Sequence, residues 1–125
     1  MSNHSAKFEA VHALLDAGDL AGAKVSCQRL VQAASREPAA QSLMAQILYR
    51  LGQPAPALHY ASVASQLAPR DPGLLTQWAN LLLIAGKHDQ ALQTLGKIPG
   101  LLESDPYALS LATSAHLDAL SLIHI

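Results

Sequence analysis

The sequence predicts an all-α fold, an α-α superhelix (solenoid) of about three helical hairpins plus one further helix. Half of its 125 residues are apolar, but only 4% are aromatic and 14% are charged. This composition is typical of closely packed helices that are rich in alanine and leucine. Glycines and prolines also recur at a fixed interval, and the apolar residues between them follow a helical period. No strand is needed to account for any part of the chain.

Three sets of residues share a spacing of 34 residues. They are the glycines Gly18, Gly52 and Gly86, the alanines Ala23, Ala57 and Ala91, and the prolines Pro38, Pro72 and Pro106. Glycine and proline are scarce, with seven of each in the chain, so their agreement carries more weight than that of the alanines. The sequence therefore predicts a structural repeat of this length.

Each landmark has a physical role in the repeat. Asp71-Pro72 and Asp105-Pro106 are typical of a helix N-cap followed by proline at the first helical position, and Glu37-Pro38 is a weaker form of the same signal. The repeated glycine suits the left-handed conformation of a helix end. The repeated alanine falls in the next helix, where a small side chain lets two helices approach closely. We expect helices near 5–17, 19–34, 38–51, 54–67, 72–85, 88–98 and from 106 onward.

This pattern resembles the tetratricopeptide repeat (TPR) family. The second repeat matches it best, with Met44-Ala45 where the family has Leu-Gly, and then Gly52, Ala57, Ala64 and Pro69. The third repeat matches at Trp78-Ala79, Gly86 and Ala91. The early tryptophan of the family is replaced by Lys7, Gln41, Leu75 and Leu109. The resemblance implies a tetratricopeptide repeat domain at 1–119, with repeats about 4–37, 38–71 and 72–105 and a partial repeat at 106–119.

The resemblance also implies a concave groove lined by the first helix of each hairpin. The best-known members hold the C-terminal carboxylate of heat-shock chaperones with lysine, arginine and asparagine. Asn80 matches an asparagine position, but Arg50 is the single fixed cation in this groove, which disfavours that ligand. The expected lysine positions hold Phe8 and Ser42, and the groove is also expected to include Leu15, Asp16, Thr76, Leu83 and Ile84. The candidate partner-binding residues are His12, Gln46, Tyr49, Arg50 and Asn80.

Neither a catalytic site nor a cofactor or metal site is predicted. The chain has no GxSxG, GxxxxGK[ST] or HExxH motif, and its six histidines lie in different helices without ligand spacing. Cys27 is the only cysteine, and we expect it to be a small buried hydrophobe. The net charge is −1 and the lysines and arginines are scattered, which excludes the basic stripe that nucleic acid requires. We expect no membrane or small-molecule partner and a cytoplasmic location.

The last six residues have an unusual sequence. Leu120 to Ile125 is the in-frame translation of CTG TCT CTT ATA CAC ATC, the end of a transposase-based sequencing adapter. We therefore expect residues 120–125 to be an adapter-derived tail and the natural protein to be longer. The alternative is an ordinary apolar helix end.

Two functions agree with the sequence. The first is a non-catalytic scaffold that binds a peptide or another protein in its concave groove. The alternative is the N-terminal repeat module of a larger bacterial enzyme, such as a sulfotransferase, glycosyltransferase or methyltransferase. The sequence leaves both open, because the residues that would distinguish them lie beyond the chain.

Overall fold

A computed structural model describes residues 4–97, 100, 106 and 108–113, and these residues form helices and turns without a strand. The helices are α1 (Ser5–Asp16), α2 (Leu20–Ala33), α3 (Pro38–Arg50), α4 (Pro54–Leu67), α5 (Pro72–Ile84) and α6 (His88–Leu95). Residues 106 and 108–113 are helical as well and belong to the further helix that the sequence predicts. The all-α fold of helical hairpins is thereby confirmed. None of the helices in the described ranges combines the length and the apolarity of a bilayer span.

The chain forms two compact units, Met1–Leu67 and Ala68–Ile125. In the first unit α1 packs against α2, α2 against α3 and α3 against α4, so that two hairpins are stacked. In the second unit α5 packs against α6. Within each unit the helices that pack together are neighbours in sequence, as expected for helices that are joined by short connections.

The repeated glycines end the first helix of each hairpin. Gly18, Gly52 and Gly86 have φ values of +80°, +77° and +79°, the left-handed conformation that glycine adopts most easily. At α5 the Gly86 N–H donates to the Leu83 carbonyl at 3.0 Å, and the Lys87 N–H donates to the Leu82 carbonyl at 2.8 Å. The same two bonds recur after α1 and α3. This Schellman motif pairs carbonyls that the last helical turn would leave free, and it confirms the predicted role of the glycines.

The acid-proline pairs begin the helices as the sequence predicts. The Asp71 carboxylate accepts hydrogen bonds from the N–H groups of Gly73 and Leu74, at 2.9 and 3.3 Å, with Pro72 in the first turn. Glu37 also precedes a proline, but its side chain makes no capping hydrogen bond. The first of these is a full N-cap and the second is the weaker form. Asp105 and the suspected tail at 120–125 lie outside the described residues.

Small side chains occupy the helix contacts of the first unit. Ala23 and Ala57, which are equivalent in the repeat, are fully buried. Cys27 is fully buried too, and its thiol donates a weak hydrogen bond to the Ala40 carbonyl, with Sγ 3.9 Å from the oxygen. Burial raises the pKa of the Cys27 thiol to about 11, because the thiolate would lose its hydration. The largest fully buried side chains of this unit are Val11, Cys27, Leu30, Met44, Ile47 and Leu48.

Helix α6 is shorter than expected. It ends at Leu95, whereas the sequence predicts a helix to residue 98. Gly96 is its C-cap, and the Lys97 N–H reaches back only three residues, to the Thr94 carbonyl at 3.3 Å. Glycine disfavours a helix interior, and the α conformation is also disfavoured just before a proline, here Pro99. Residues 98 and 99 themselves lie outside the described ranges.

Candidate functional site

One exposed row on α3 carries three of the five candidate residues. Gln46, Tyr49 and Arg50 are spaced i, i+3, i+4, which places them on one side of the helix. All three are exposed, and Tyr49 retains 48% of its accessible surface. The other sides of α3 are buried, at Leu43, Met44, Ala45, Ile47 and Leu48. The fold thus fixes one side of α3 in the core and turns this row of three, which we call the α3 row, to solvent.

Arg50 is the only charged residue of the hairpin that runs from residue 38 to 67. Within residues 4–97, 100, 106 and 108–113, its side chain makes no hydrogen bond and no ion pair. It lies in the last turn of α3, where the helix dipole favours a cation. The helix therefore fixes the backbone of Arg50, and the donors of its guanidinium group remain available.

His12 occupies the repeat position of Gln46, one hairpin earlier. It lies on α1 and is exposed, and Asp16, which occupies the position of Arg50, is exposed as well. Phe8 and Leu15 on the same helix are half-buried. The exposed surface of α1 is therefore more acidic than that of α3, and it offers an imidazole where α3 offers an amide.

Asn80 belongs to the second unit, where it lies on α5 and is half-buried. Ile84, one turn later, is exposed. Thr76, one turn earlier, is 5% exposed, and its hydroxyl donates to the Gly73 carbonyl at 2.9 Å. The expectation that Thr76 lines a groove is wrong, because its side chain is buried and its donor is already used within α5.

Sequence reasoning missed two features of the connection between α2 and α3. The Gln41 side chain is buried, and its Nε2 donates to the Ser35 carbonyl at 2.9 Å, which ties the start of α3 to the preceding loop. A solvent-open depression of about 300 Å³ lies at the same connection, lined by His4, Ala33, Ala34, Ser35, Arg36 and Glu37. The buried Gln41 could have been noticed in the sequence, because it is a polar residue at a position of the helix that is otherwise apolar. A buried amide needs a hydrogen-bond partner.

No metal centre is found in the part of the chain that the structure describes. Among these residues, no group of three or more His, Cys, Asp or Glu side chains could hold a metal ion. The α3 row places an aromatic ring, an amide and a guanidinium group side by side on one helix. These groups can pack against an apolar side chain, hydrogen-bond to a peptide backbone and pair with an anion.

Comparison with known proteins gives one family and many similar folds. The family model described as anaphase-promoting complex, cyclosome, subunit 3 matches residues 9–98. The TPR domain of Sgt2 from Aspergillus fumigatus is similar with a TM-score of 0.84 at 13% identity, over 100% of this chain and 84% of that one. The first TPR of Spaghetti (RPAP3), bound to an HSP90 peptide, is similar with a TM-score of 0.82 at 16% identity, over 93% of this chain and 91% of that one.

An enzyme is also among the similar structures. The O-GlcNAc transferase of Thermobaculum terrenum has a TM-score of 0.73 at 20% identity, over 92% of this chain but only 23% of the transferase. No curated protein matches the chain. At these identities the similar structures establish the repeat fold.

Proposed function

Because the chain belongs to the family of tetratricopeptide-type repeats described as anaphase-promoting complex, cyclosome, subunit 3, we propose that it is a non-catalytic protein-interaction module. Its ligand is a peptide or a helix of a partner protein, bound on the exposed face of the first helix of a hairpin. The family supplies the repeat fold to this proposal, since the matched residues 9–98 span α1 to α6. A cytoplasmic location is part of the same proposal.

The α3 row is the observation that carries the proposal. Tyr49 exposes almost half of its surface in a chain that has only five phenylalanine, tryptophan and tyrosine residues in total. Tyrosine and arginine are among the residue types most enriched at interface hot spots, and here they are adjacent on one helix. A ring of this kind gives a large contact area at a small loss of side-chain entropy. Within the same unit the proposal extends from this row to His12 on α1, and Asn80 on α5 is a separate candidate contact of the second unit.

The similar structures support a peptide ligand in general terms. The Spaghetti domain, which shares this fold, is bound to an HSP90 peptide. The proposed ligand here differs from a chaperone tail, because the positions at which a lysine is expected hold Phe8 and Ser42. With a single cation in its hairpin, the α3 row would combine apolar contact on the Tyr49 ring with one charged contact at Arg50.

A peptide-display selection tests the proposal. Random peptides are selected against the 125-residue chain, and the Kd of a resynthesised peptide is measured by fluorescence anisotropy. Tyr49→Ala should weaken binding by about tenfold or more, as expected when an interface anchor is truncated. Val25→Ala is the matched control, because Val25 is also an exposed apolar residue (51%), but it lies on α2, the second helix of its hairpin. Failure to select any peptide, or equal affinities for the two variants, would contradict the proposal.

A second candidate function is a repeat module within a larger enzyme. The likeness to the O-GlcNAc transferase favours it, because nearly the whole of this chain corresponds to about a quarter of that protein. In that case the α3 row would hold a protein substrate or a neighbouring domain, and the chemistry would lie elsewhere in the protein. Sequencing the genomic locus tests this. A reading frame that continues into a transferase domain would support the candidate, and a stop codon directly after the repeats would exclude it.

A further inference from the structure

The α3 row also indicates which chemistry its ligand carries. We propose that Gln46, Tyr49 and Arg50 select a partner segment by one side-chain carboxylate that stands next to an apolar or aromatic residue. This inference rests on the proposed function and names the ligand of that same site. The occupant is an internal acidic segment of a partner protein, and not its C-terminal carboxylate.

The distribution of charge within the second hairpin favours an acid at Arg50. Residues 38–67 contain no Lys, Asp or Glu, and Arg50 is their only Arg. An arginine fork binds one carboxylate with two parallel hydrogen bonds. A second carboxylate on the ligand would find no other cation within this hairpin, and the Lys24 ammonium group of α2 that reaches its loop already donates to the Gln53 side chain at 3.5 Å. The α3 row therefore favours one acid, placed at Arg50, beside neutral side chains that face Gln46 and Tyr49.

Tyr49 and Gln46 define what lies beside that acid. The Tyr49 ring is adjacent to Arg50 in sequence and exposed, so an apolar side chain of the ligand can pack on it while the carboxylate reaches the guanidinium group. Gln46 lies one turn earlier on the same side and offers an amide that can donate to and accept from a peptide backbone. Together the three side chains match an acid next to an apolar residue.

The position of Arg50 favours an internal carboxylate. Arg50 is the last residue of α3, with Gln46 and Tyr49 on one side along the helix. Beyond it the chain turns into α4 through exposed, uncharged residues at 52–56. At these residues the Gln53 side chain accepts a hydrogen bond from the Lys24 ammonium group of α2 at 3.5 Å. A ligand that continues past Arg50 therefore meets exposed polar surface in both directions, whereas a ligand that ends there would use only one of them.

A peptide library with both ends blocked tests the inference. The peptides are acetylated at the N-terminus and attached to beads through the C-terminus, so that every carboxylate selected by the 125-residue chain is a side chain. We expect Asp or Glu to be enriched at one position, directly beside an apolar or aromatic residue. Changing that acid to its amide should weaken binding by about tenfold, as expected for the loss of a charge-assisted hydrogen bond.

Variants of the protein assign the contact to Arg50. Arg50→Gln should weaken binding of the selected peptide by a similar factor, and the amide peptide should bind the wild type and Arg50→Gln equally, because the contact is already lost. Arg29→Gln, which removes an exposed arginine on α2, is the matched control and should leave Kd unchanged. Circular dichroism of both variants shows that the helices remain formed.

The outcomes separate this inference from the proposed function. Selection of peptides without acidic enrichment, with binding that still depends on Tyr49, would uphold the proposed function and overturn the inference. Enrichment of acids that is insensitive to Arg50→Gln would overturn it too. A parallel library with free C-termini that binds while the blocked library does not would show a terminal carboxylate as the ligand and overturn the choice of an internal acid. Failure of both libraries would overturn the proposed function itself.

Discussion

The ammonium nitrogen of Lys97 lies 5.0 Å from the centroid of the Trp78 ring. Trp78 is on α5 and half-buried, and Lys97 follows the end of α6, so this cation-π contact joins the two helices of the third hairpin. Trp78 occupies the repeat position of Met44, which is buried in the second hairpin. The lysine therefore lies over a ring that remains partly exposed in the third hairpin.

Replacement of this lysine should weaken the third hairpin slightly. Lys97→Gln should lower the free energy of unfolding by about 0.5–1 kcal/mol, the range for exposed cation-π pairs. Trp78 is the only tryptophan, so its fluorescence reports on this contact directly, and its emission should shift to longer wavelength in the variant. Lys7→Gln, which removes an exposed lysine from α1, is the control. Identical emission spectra for the two variants would contradict the contact.

Enlarging the repeated alanine should be costly. Ala57 is fully buried and Ala55, two residues earlier on the same helix, is exposed. Ala57→Leu should lower the free energy of unfolding by about 1–3 kcal/mol through overpacking, and Ala55→Leu should change it little. Urea denaturation measures both variants under the same conditions. Equal denaturation midpoints would mean that Ala57 does not lie at a close helix contact.

The repeated glycine should be sensitive to its backbone angle and not to space. Gly86 has φ +79° and no atom within 4 Å of an added Cβ, whereas an added Cβ at Gly96 would make ordinary contacts at 3.5 and 3.7 Å. Gly86→Ala should destabilise the protein by about 1–2 kcal/mol, because a Cβ is strained in the left-handed region. Gly96→Ala, with φ −80°, should be neutral or slightly stabilising. Thermal denaturation of the pair tests this, and an equal loss of stability in both would contradict it.

The acid-proline pairs provide a second matched comparison. Asp71→Ala removes two hydrogen bonds to the first turn of α5 and should cost about 1 kcal/mol. Glu37→Ala changes the equivalent position of the repeat, where the side chain caps nothing, and should be within about 0.5 kcal/mol of the wild type. Urea denaturation gives the free energy of unfolding of both variants. A larger loss of stability in Glu37→Ala than in Asp71→Ala would show that capping hydrogen bonds do not explain why an acidic residue precedes the repeated proline.

Helix bounds were predictable because their signals are local. Five of the six helices start and end within two residues of the expected positions, since proline fixes the first turn and glycine the last. The end of α6 was not predictable, because Gly96 and Pro99 can each end a helix and the sequence does not show which of them does so. The exposure of Gln46, Tyr49 and Arg50 was also predictable, from their spacing on an amphipathic helix.

Features that depend on packing between helices were not predictable. Lys97 and Trp78 meet only because α5 and α6 form a hairpin, and nothing in the spacing of the two residues signals the contact. Thr76 was expected to line a groove, but it is buried, and its hydroxyl donates to the Gly73 carbonyl of its own helix. A helical period locates a face of a helix, and it does not give the exposure of each residue near the edge of that face.

Cys27 should make the protein less stable at high pH. The pKa of its thiol is raised to about 11 in the folded chain from an ordinary value of 9.0. Between these two values the unfolded chain releases the proton while the folded chain keeps it, so ionisation favours the unfolded state. The contribution of the buried thiol is fully present below about pH 9 and declines as the pH rises towards 11. The free energy of unfolding, measured in urea at pH 7, 9 and 10.5, should fall along this series.

Cys27→Ala is the control that isolates the thiol, because lysines and tyrosines titrate in the same range in both proteins. The variant leaves a small cavity and is expected to be less stable at every pH. That offset is constant and cancels when the slopes are compared, so the wild type should lose more stability between pH 9 and 10.5 than the variant does. Parallel curves would show that the thiol ionises as easily in the folded chain as in the unfolded one. Iodoacetamide gives an independent measure, since a buried thiol with a raised pKa should react slowly in the native protein and rapidly in urea.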